Sequence, residues 1–381
     1  MSRLAEESAA LTAWLREISL PMWSRRARDH RGGFYEALAP DGAPLMDREK
    51  RFRVQPRQAY AFAHAEHLGW TEQGRSASDH AFAFTLEAGT DDRSLMGDGD
   101  FSGFVHRLSP TGEVVDAKRD TYDHAFVLLA CAWRQIAFAD EQAGEVAART
   151  VGFLDSLRRS DGSYLEGNPA TLPRRQNPHM HLFEAFMALH RAGQDGALER
   201  ARELRALFGE NLWDGSVLRE FFAEDWSPDP ERGDHVEPGH MAEWVWLLGD
   251  YEALTGEDQG ETMRALYESA MGIGTGKDGL LIDEALADGT PVRTTRRSWV
   301  VIEHAKACLT LARRDEPGMA DRAADLIATL RATYLDAPFP GGWNEQYDED
   351  GRVVSSDMPT SILYHVVSLG AEAERAAGEV G

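Results

Sequence analysis

The chain has 381 residues, of which 43% are hydrophobic, and its formal net charge is −24 at pH 7. A surface this acidic repels nucleic-acid phosphates and anionic lipids, so we expect no nucleic-acid and no membrane partner. No window approaches 18 uninterrupted apolar residues, and the first 25 residues lack the apolar stretch of a signal peptide. We therefore expect a cytoplasmic protein, either a monomer or a homodimer.

Periodic apolar residues predict helices along the whole chain. The first apolar helix face is formed by Leu11, Trp14, Leu15 and Ile18, which follow the i, i+3, i+4, i+7 spacing. Residues 59–65 and 125–130 are small and apolar nearly all round, which indicates helices that are buried on most sides. The mixed-charge stretch 195–205 is typical of a solvated outer helix. These patterns predict an inner set of apolar helices and an outer set of amphipathic ones.

A short glycine-containing segment recurs six times between these helices. Its glycines are separated by 70, 59, 53, 64 and 63 residues, and they are Gly33, Gly103, Gly162, Gly215, Gly279 and Gly342. Most of the segments lead into a second turn that contains glycine, a combination typical of a β-hairpin. Periods this long indicate repeats that bury one shared core. We predict a single all-α domain over residues 1–381, an (α/α)6 barrel with short β-hairpins between helix pairs.

The two cysteines fit this core. Cys131 and Cys308 each lie within an apolar helical stretch. Such cysteines are typically small hydrophobic core residues. We expect both to be buried free thiols.

An ionisable residue follows each glycine segment at a similar distance. Counted from the residue after each glycine, the offsets are 23, 20, 18, 24, 23 and 22, and they lead to Arg57, His124, His181, His240, Glu303 and His365. We expect each residue near the start of the second, apolar helix of its repeat, pointing into one mouth of the barrel. A lone histidine there is often a core residue, but four at equivalent positions favour a functional site.

Two of these histidines have a carboxylate three residues later. His240 precedes Glu243 and His181 precedes Glu184, and residues three apart share one helix face. Such a carboxylate can fix the imidazole tautomer or act beside it. His179 and His181, in contrast, are two apart and cannot face the same way, and the sequence has neither an HExxH motif nor a cysteine cluster. We therefore expect no metal and no cofactor.

The chain resembles the N-acylglucosamine 2-epimerase superfamily, which includes mannose isomerases, sulfoquinovose isomerases and cellobiose 2-epimerases. The matching stretches occur in the expected order and are 55–58, 122–126, 177–186, 238–244, 299–303, 341–346 and 364–365. The resemblance implies an (α/α)6 barrel that acts on a free reducing sugar without a metal or redox cofactor. It also assigns roles to individual residues in this sequence.

By this resemblance, His240 and His365 match the acid/base pair, and Glu243 matches the carboxylate beside the first of them. The pocket residues implied are Arg57, Tyr122, Asn177, His181, His240, Glu243, Trp299, Glu303 and His365, with Arg232 as a further arginine that contacts substrate. Cellobiose 2-epimerases carry a W-W-x-Q-x-E segment where this chain has a single Trp299 before Glu303. The single tryptophan is more similar to the monosaccharide isomerases.

These observations predict an aldose–ketose isomerase that acts on a monosaccharide, with D-mannose and D-fructose as the best guess. Imidazole is suited to removing the weakly acidic C2 proton near neutral pH, and Arg57 with His181 could stabilise the enediolate oxygen. A sugar 2-epimerase uses the same groups and remains the alternative. A glycoside hydrolase acting through Glu243 and Glu303, or a non-catalytic sugar-binding module, is a second alternative.

Overall fold

The computed structural model describes residues 2–90 and 101–379 of the chain. Within these ranges the helices are α1 (Arg3–Trp14), α2 (Leu20–Arg26), α3 (Val54–His67), α4 (Gly74–Ala88), α5 (Thr121–Phe138), α6 (Glu141–Leu157), α7 (Gln176–Arg191), α8 (Ala197–Leu207), α9 (Pro238–Thr255), α10 (Gly260–Gly274), α11 (Ser298–Ala312), α12 (Met319–Thr329) and α13 (Leu363–Glu379). Short π-helical turns follow α1, α8 and α12 at Leu15–Ser19, Phe208–Leu212 and Leu330–Tyr334.

The strands are two or three residues long. They are β1 (Ala37–Leu38), β2 (Lys50–Arg51), β3 (Arg107–Leu108), β4 (Val114–Asp116), β5 (Arg119–Asp120), β6 (Gly167–Asn168), β7 (Arg174–Arg175), β8 (Phe221–Phe222), β9 (His235–Val236), β10 (Glu284–Leu286), β11 (Pro291–Arg293), β12 (Arg296–Arg297), β13 (Gln346–Tyr347) and β14 (Met358–Pro359).

The helices form two concentric rings. In the inner ring α3, α5, α7, α9, α11 and α13 pack in sequence, and α13 packs back onto α3. In the outer ring α4, α6, α8, α10 and α12 each pack on the inner helix that precedes them, and α1 packs on α13. The predicted (α/α)6 barrel is therefore confirmed.

The predicted order of the helices within a repeat is wrong. The apolar inner helix is the first helix after each glycine segment, and the amphipathic outer helix is the second. The glycines stand where the chain leaves an outer helix and reverses towards the mouth of the barrel. Gly162, for example, has a φ of +80°, which residues with a side chain rarely adopt.

The strands join neighbouring repeats at one mouth of the barrel. The short strands before the inner helices are β2, β5, β7, β9, β12 and β14, and they pair antiparallel with β3, β6, β8, β10, β13 and β1 of the next repeat. The β14–β1 pair connects the last repeat to the first. Hairpins within a repeat are also present, at β3–β4 and β10–β11, as predicted. This strand network holds the N-terminal ends of the inner helices together.

Burial follows the two rings. All fifteen residues of α11 are buried, whereas α8 buries four of its eleven. Cys131 and Cys308 are free and buried, as predicted. Ile18, predicted on the apolar face of the first helix, is instead exposed, because the π-helical turn after α1 changes the helical register. No helix in the described ranges combines the length and apolar character needed to cross a membrane.

Candidate active site

A cavity of about 270 Å³ opens at the mouth where the inner helices begin. Eight of the ten residues that the sequence assigned to a site line it: Arg57, Tyr122, Asn177, His181, His240, Glu243, Trp299 and His365. They lie in the first turns of the inner helices, so the positive ends of the helix dipoles surround the cavity. A negative charge that develops on a bound molecule is stabilised in such a place.

His240 lies in the first turn of α9, and its Nδ1 is 2.9 Å from Oε1 of Glu220. Burial disfavours its charged form, but the charges of Glu220 and Glu237 outweigh this effect and raise the pKa of His240 to about 9. At neutral pH this imidazole is therefore protonated. Glu220 from the loop before β8, and not Glu243, is hydrogen-bonded to Nδ1 of His240. Glu243 acts beside this histidine through its charge, which favours the protonated imidazole.

Glu220 is itself held in place. Nε2 of Gln176 donates a hydrogen bond to Glu220 over 3.0 Å, and the indole N–H of Trp244 donates to Oε1 of Gln176 over 3.0 Å. These buried contacts fix the carboxylate against His240. The amide of Asn177 lies 3.3 Å from the other ring nitrogen, Nε2.

His365, in the first turn of α13, has the opposite charge state. Its Nδ1 is 2.8 Å from Oε1 of Glu303, and the other oxygen of Glu303 is 2.8 Å from Nζ of Lys306. Burial lowers the pKa of His365 to about 4, and the positive charges of Arg57 and Lys306 oppose the effect of Glu303. At neutral pH His365 is therefore neutral, with its Nδ1–H towards Glu303 and its Nε2 unprotonated.

Glu303 lies behind the cavity rather than in its lining. The side chain is fully buried and contacts His365 and Lys306. The sequence assigned it a direct contact with substrate; the side chain does not line the cavity, and this role stays a prediction. Its contact with the lining is the hydrogen bond that it accepts from Nδ1 of His365.

Trp299 stands between the two histidines. Its ring centroid lies 5.1 Å from that of His240 and 6.0 Å from that of His365. Gly239 leaves room for this ring, since a Cβ at that position would lie 2.8 Å from it. The exposed face of an indole packs well against the C–H groups of a sugar.

His181 and Arg57 complete the inner part of the lining. Nδ1 of His181 is 3.0 Å from Glu184, as the i, i+3 spacing predicted, and Tyr364 donates a hydrogen bond to the same carboxylate over 2.7 Å. Burial lowers the pKa of His181, so this imidazole is neutral. Arg57 donates a hydrogen bond to the hydroxyl of Tyr122 over 2.7 Å. Among the described residues no carboxylate forms an ion pair with Arg57, so its charge is available to a substrate oxygen.

Two predicted positions lie elsewhere. Arg232 is exposed in the loop before β9, where its guanidinium lies 3.4 Å from the centroid of the Phe221 ring, and it does not line the cavity. His124 is also outside the lining. Its Nε2 accepts a hydrogen bond from the backbone N–H of Phe104 over 2.9 Å, and its Nδ1 donates to the carbonyl of Asp120 over 2.7 Å.

His124 is equivalent to His179, which makes the same two bonds with the backbone of Tyr164 and Arg175. The residue of α5 that matches His181 is therefore Phe126, two positions later. Side chains two positions apart on a helix point in directions that differ by about 200°. The number of residues between the hairpin glycine and the candidate residue varies between 18 and 24, so it does not determine where the side chain points.

Several lining residues were not predicted from the sequence. Arg51, Arg53 and Arg297 line the outer part of the cavity, and each faces a carboxylate: Glu36 for Arg51, Asp123 at 3.5 Å for Arg53, and Glu237 at 3.2 Å for Arg297. A sequence pattern could have identified them, because a basic residue recurs in or just after several of the short strands that precede the inner helices.

Glu345 also lines the cavity and was missed. Ser298 donates a hydrogen bond to its carboxyl group over 2.5 Å, and burial raises the pKa of Glu345 to about 8. A protonated carboxyl group in the lining can donate a hydrogen bond to a sugar oxygen. Its segment resembled the family, but the spacing from the glycine did not single it out.

Two groups of three side chains in the described part of the chain could hold a cation: Glu220 with Glu237 and His240, and Glu243 with Glu303 and His365. In both, Nδ1 of the histidine is already hydrogen-bonded to a carboxylate, and in the second Lys306 supplies the positive charge beside Glu303. The arrangement is that of histidine–carboxylate pairs. Metal independence stays a prediction.

Comparison with known proteins identifies the family of this chain. The family model described as N-acylglucosamine 2-epimerase matches residues 33–369. The chain belongs to the N-acylglucosamine 2-epimerase family. A protein of Rhizobium meliloti named mannose-6-phosphate isomerase is 34% identical over 381 residues, covering 95% of each chain. The D-mannose isomerase of Thermobifida fusca is 27% identical, covering 89% of this chain and 88% of that one.

The solved structure of cellobiose 2-epimerase from Bacillus thermoamylovorans superposes with a TM-score of 0.85 at 22% identity, covering 97% of this chain and 99% of that one. This likeness supports the fold. The predicted resemblance to the superfamily is confirmed, and the protein is a sugar isomerase or epimerase.

Proposed function

We propose that this protein is an aldose–ketose isomerase acting on a monosaccharide, with D-mannose and D-fructose as the substrate pair. The observation that carries the proposal is the pair of histidines on either side of Trp299, of which His240 is hydrogen-bonded to Glu220 and His365 to a carboxylate that Lys306 already neutralises. These surroundings shift the two pKa values in opposite directions. Environments that drive the pKa values of two neighbouring groups apart create an acid and a base in one site. His365 is the base and protonated His240 is the acid.

In the first step Nε2 of His365 takes the C2 proton of the open-chain aldose. The electron pair of the C–H bond forms the C1–C2 double bond, and the carbonyl electrons move to O1. His240 gives its Nε2 proton to O1, which yields the enediol. Arg57 and the helix N-termini stabilise negative charge on the oxygens during this transfer.

In the second step neutral His240 takes the O2 proton. The O2 electrons form the C2 carbonyl, and protonated His365 returns a proton to C1. The product is the ketose, and both histidines regain their starting states. A 2-epimerase would instead return a proton to the opposite face of C2, and this outcome is the alternative that the experiment must separate.

NMR of mannose, glucose and fructose incubated with the protein in D2O tests the proposal. We expect mannose and fructose to interconvert. Appearance of glucose from mannose, faster than fructose, would assign a 2-epimerase instead. No change in any sugar, together with turnover of a disaccharide to two monosaccharides, would assign a hydrolase.

Variants test the two roles. His240→Asn and His365→Asn should each lower kcat by roughly 10²–10⁴, the usual range for positioned proton transfer. His365→Asn should also lose solvent exchange at C2. His190→Asn is the matched control, because His190 lies at the far end of α7 and does not line the cavity. Near-normal turnover in both catalytic variants would refute the assignment.

The hydrolase mechanism fits the geometry poorly. It requires two carboxyl groups across a scissile bond, about 5–10 Å apart and both in reach of substrate. Oxygens of Glu243 and Glu303 lie within 4.8 Å of each other, and Glu303 is covered by His365 and Lys306.

A phosphorylated aldose is the second candidate. The arginines of the outer lining favour it, and the name of the Rhizobium meliloti relative points the same way. However, each of Arg51, Arg53 and Arg297 already faces a carboxylate, which favours an uncharged sugar. Comparing kcat/KM for mannose and mannose 6-phosphate decides between them, and a tenfold preference for the phosphate would replace the first candidate.

A further inference from the structure

Lys306 is a fully buried lysine in the middle of the barrel. It lies one turn after Glu303 on α11, and its ammonium group is 2.8 Å from Glu303 and 3.3 Å from the centroid of the Trp246 ring. Removing an ammonium group from water is costly unless it is paired. The mechanism proposed above gives this charge no direct contact with substrate.

The surroundings of Lys306 explain why a charge is needed there. Three buried carboxyl groups, those of Glu184, Glu243 and Glu303, act on one another electrostatically near the barrel axis. Oxygens of Glu243 and Glu303 lie within 4.8 Å of each other and of a ring nitrogen of His365. Two buried carboxyl groups so close cannot both ionise readily.

We propose that Lys306 is a positioning residue that keeps Glu303 as the ionised member of this group, so that His365 remains the base and Glu243 remains protonated. The inference rests on the proposed function, since it assigns the states of groups used in that reaction. Of the three carboxyl groups, Glu303 is the one that stays ionised, because the ammonium group of Lys306 contacts it directly. Glu303 then accepts the Nδ1–H of His365 and leaves Nε2 free.

The effect on Glu243 follows from the same contact. Burial and the charge of Glu303 raise the pKa of Glu243 well above its ordinary value, although Lys306 and His240 oppose them. At Glu303 burial also acts to raise the pKa, but the adjacent Lys306 and the hydrogen bond from His365 outweigh it and lower the pKa. Oε1 of Glu243 is buried, has no hydrogen-bond partner among the described residues, and belongs to a side chain that lines the cavity. A protonated Glu243 can donate to a substrate oxygen there.

The test compares Lys306→Met with Lys50→Met. Lys50 is also buried, pairs with Asp29 over 2.9 Å and lies 4.6 Å from the centroid of the Phe84 ring, but it is outside the cavity. Both variants should lower Tm. Lys306→Met alone should move the acid limb of the kcat/KM profile to higher pH by about one unit or more, because a positive charge that opposes protonation of His365 is lost. Lys306→Arg should restore the normal limb.

The titratable and charged groups that face His365 from the neighbouring helices are Glu303, Lys306, Glu243, Arg57 and Glu184. A double-mutant cycle tests whether Lys306 affects His365 through Glu303. Glu303→Gln and the Glu303→Gln/Lys306→Met double variant should have the same kcat within about twofold. An additive loss in the double variant would overturn the inference. The double variant buries no unpaired charge, so it carries the test if Lys306→Met does not fold.

A measurement without turnover separates this inference from the proposed function. The ring nitrogens of His365 can be titrated by 15N NMR, with the signal assigned from His365→Asn. A higher midpoint in Lys306→Met but not in Lys50→Met supports the inference even if no aldose is turned over. The same midpoint in both variants overturns it, even if the wild-type protein isomerises mannose.

Discussion

Replacing Glu220 by glutamine removes the negative charge beside His240 and keeps the shape of the side chain. His240 has a pKa of about 9, against an ordinary value of 6.5, because Glu220 and Glu237 outweigh the effect of burial. This rise corresponds to about 3 kcal/mol in favour of the charged imidazole. In Glu220→Gln the balance reverses, and the pKa of His240 should fall to 6.5 or below.

The consequence for activity can be worked out at pH 8. With a pKa of about 9, about nine-tenths of the wild-type protein carries protonated His240, whereas a pKa of 6.5 leaves about 3%. If His240 is the acid, kcat/KM of Glu220→Gln at pH 8 should be about thirtyfold lower. Its basic limb should lie at least 2 pH units below that of the wild type.

The pH dependence of protein stability shows whether the pKa of His240 is raised, without any measurement of turnover. A group whose pKa is raised in the folded state stabilises the fold fully below its unfolded pKa, and this contribution is lost as the pH rises through the folded pKa. The Tm difference between wild type and Glu220→Gln should therefore be largest near pH 6 and shrink between pH 6.5 and 9.

The control is Glu284→Gln, which removes the carboxylate beside His235 in a histidine–glutamate pair outside the cavity. In that variant the basic limb of the kcat/KM profile should lie at the same pH as in the wild type. A folded Glu220→Gln protein whose basic limb also stays within about 0.3 pH units of the wild type would refute the assignment of His240 as the acid.

Three further predictions concern metal, substrate size and fold. Exhaustive dialysis against EDTA should leave activity unchanged, and an activity restored only by added zinc or manganese would overturn metal independence. Because a single tryptophan, Trp299, stands at the family position, kcat/KM should be higher for mannose than for cellobiose, and the reverse order would favour a 2-epimerase. His124→Leu should lower stability by about 1–3 kcal/mol, since the buried amide of Phe104 loses its acceptor. Its kcat should stay near normal, and a loss comparable to that of His240→Asn would show that His124 acts in the site.

The architecture was predictable because it depends on periodic features of one chain. Apolar helices, glycine turns and their period determine two rings and the mouth at which the hairpins lie. The order of helices within a repeat was not predictable in the same way, because a glycine turn can precede either type of helix. The pairing of strands between repeats was also missed, since two-residue strands such as β5 and β6 have no sequence pattern of their own.

The site was predictable where one helix carries the pattern and unpredictable where two elements meet. His181 and Glu184 share a helix face, so their spacing indicated their contact. His240 and Glu220 are 20 residues apart and meet only because β8 and α9 converge at the mouth. The nearby Glu243 had a suitable spacing but lies towards Glu303 and His365 instead. Spacing on a helix identifies which partners are possible, and packing selects among them.

The roles of Lys306 and His124 also could not be predicted from their positions in the sequence alone. A lysine within an apolar helix carries no signal of its role until the buried carboxylates around it are known. His124, Gln55 and His179 occupy equivalent places, and each holds the backbone of its hairpin through side-chain hydrogen bonds. The residue two positions later then faces either the cavity, as Arg57 and His181 do, or the core. A polar residue at the start of an inner helix can therefore serve the fold by binding the backbone of the preceding hairpin. A catalytic or binding side chain in the same turn must lie on a different face of the helix, the one that points into the cavity.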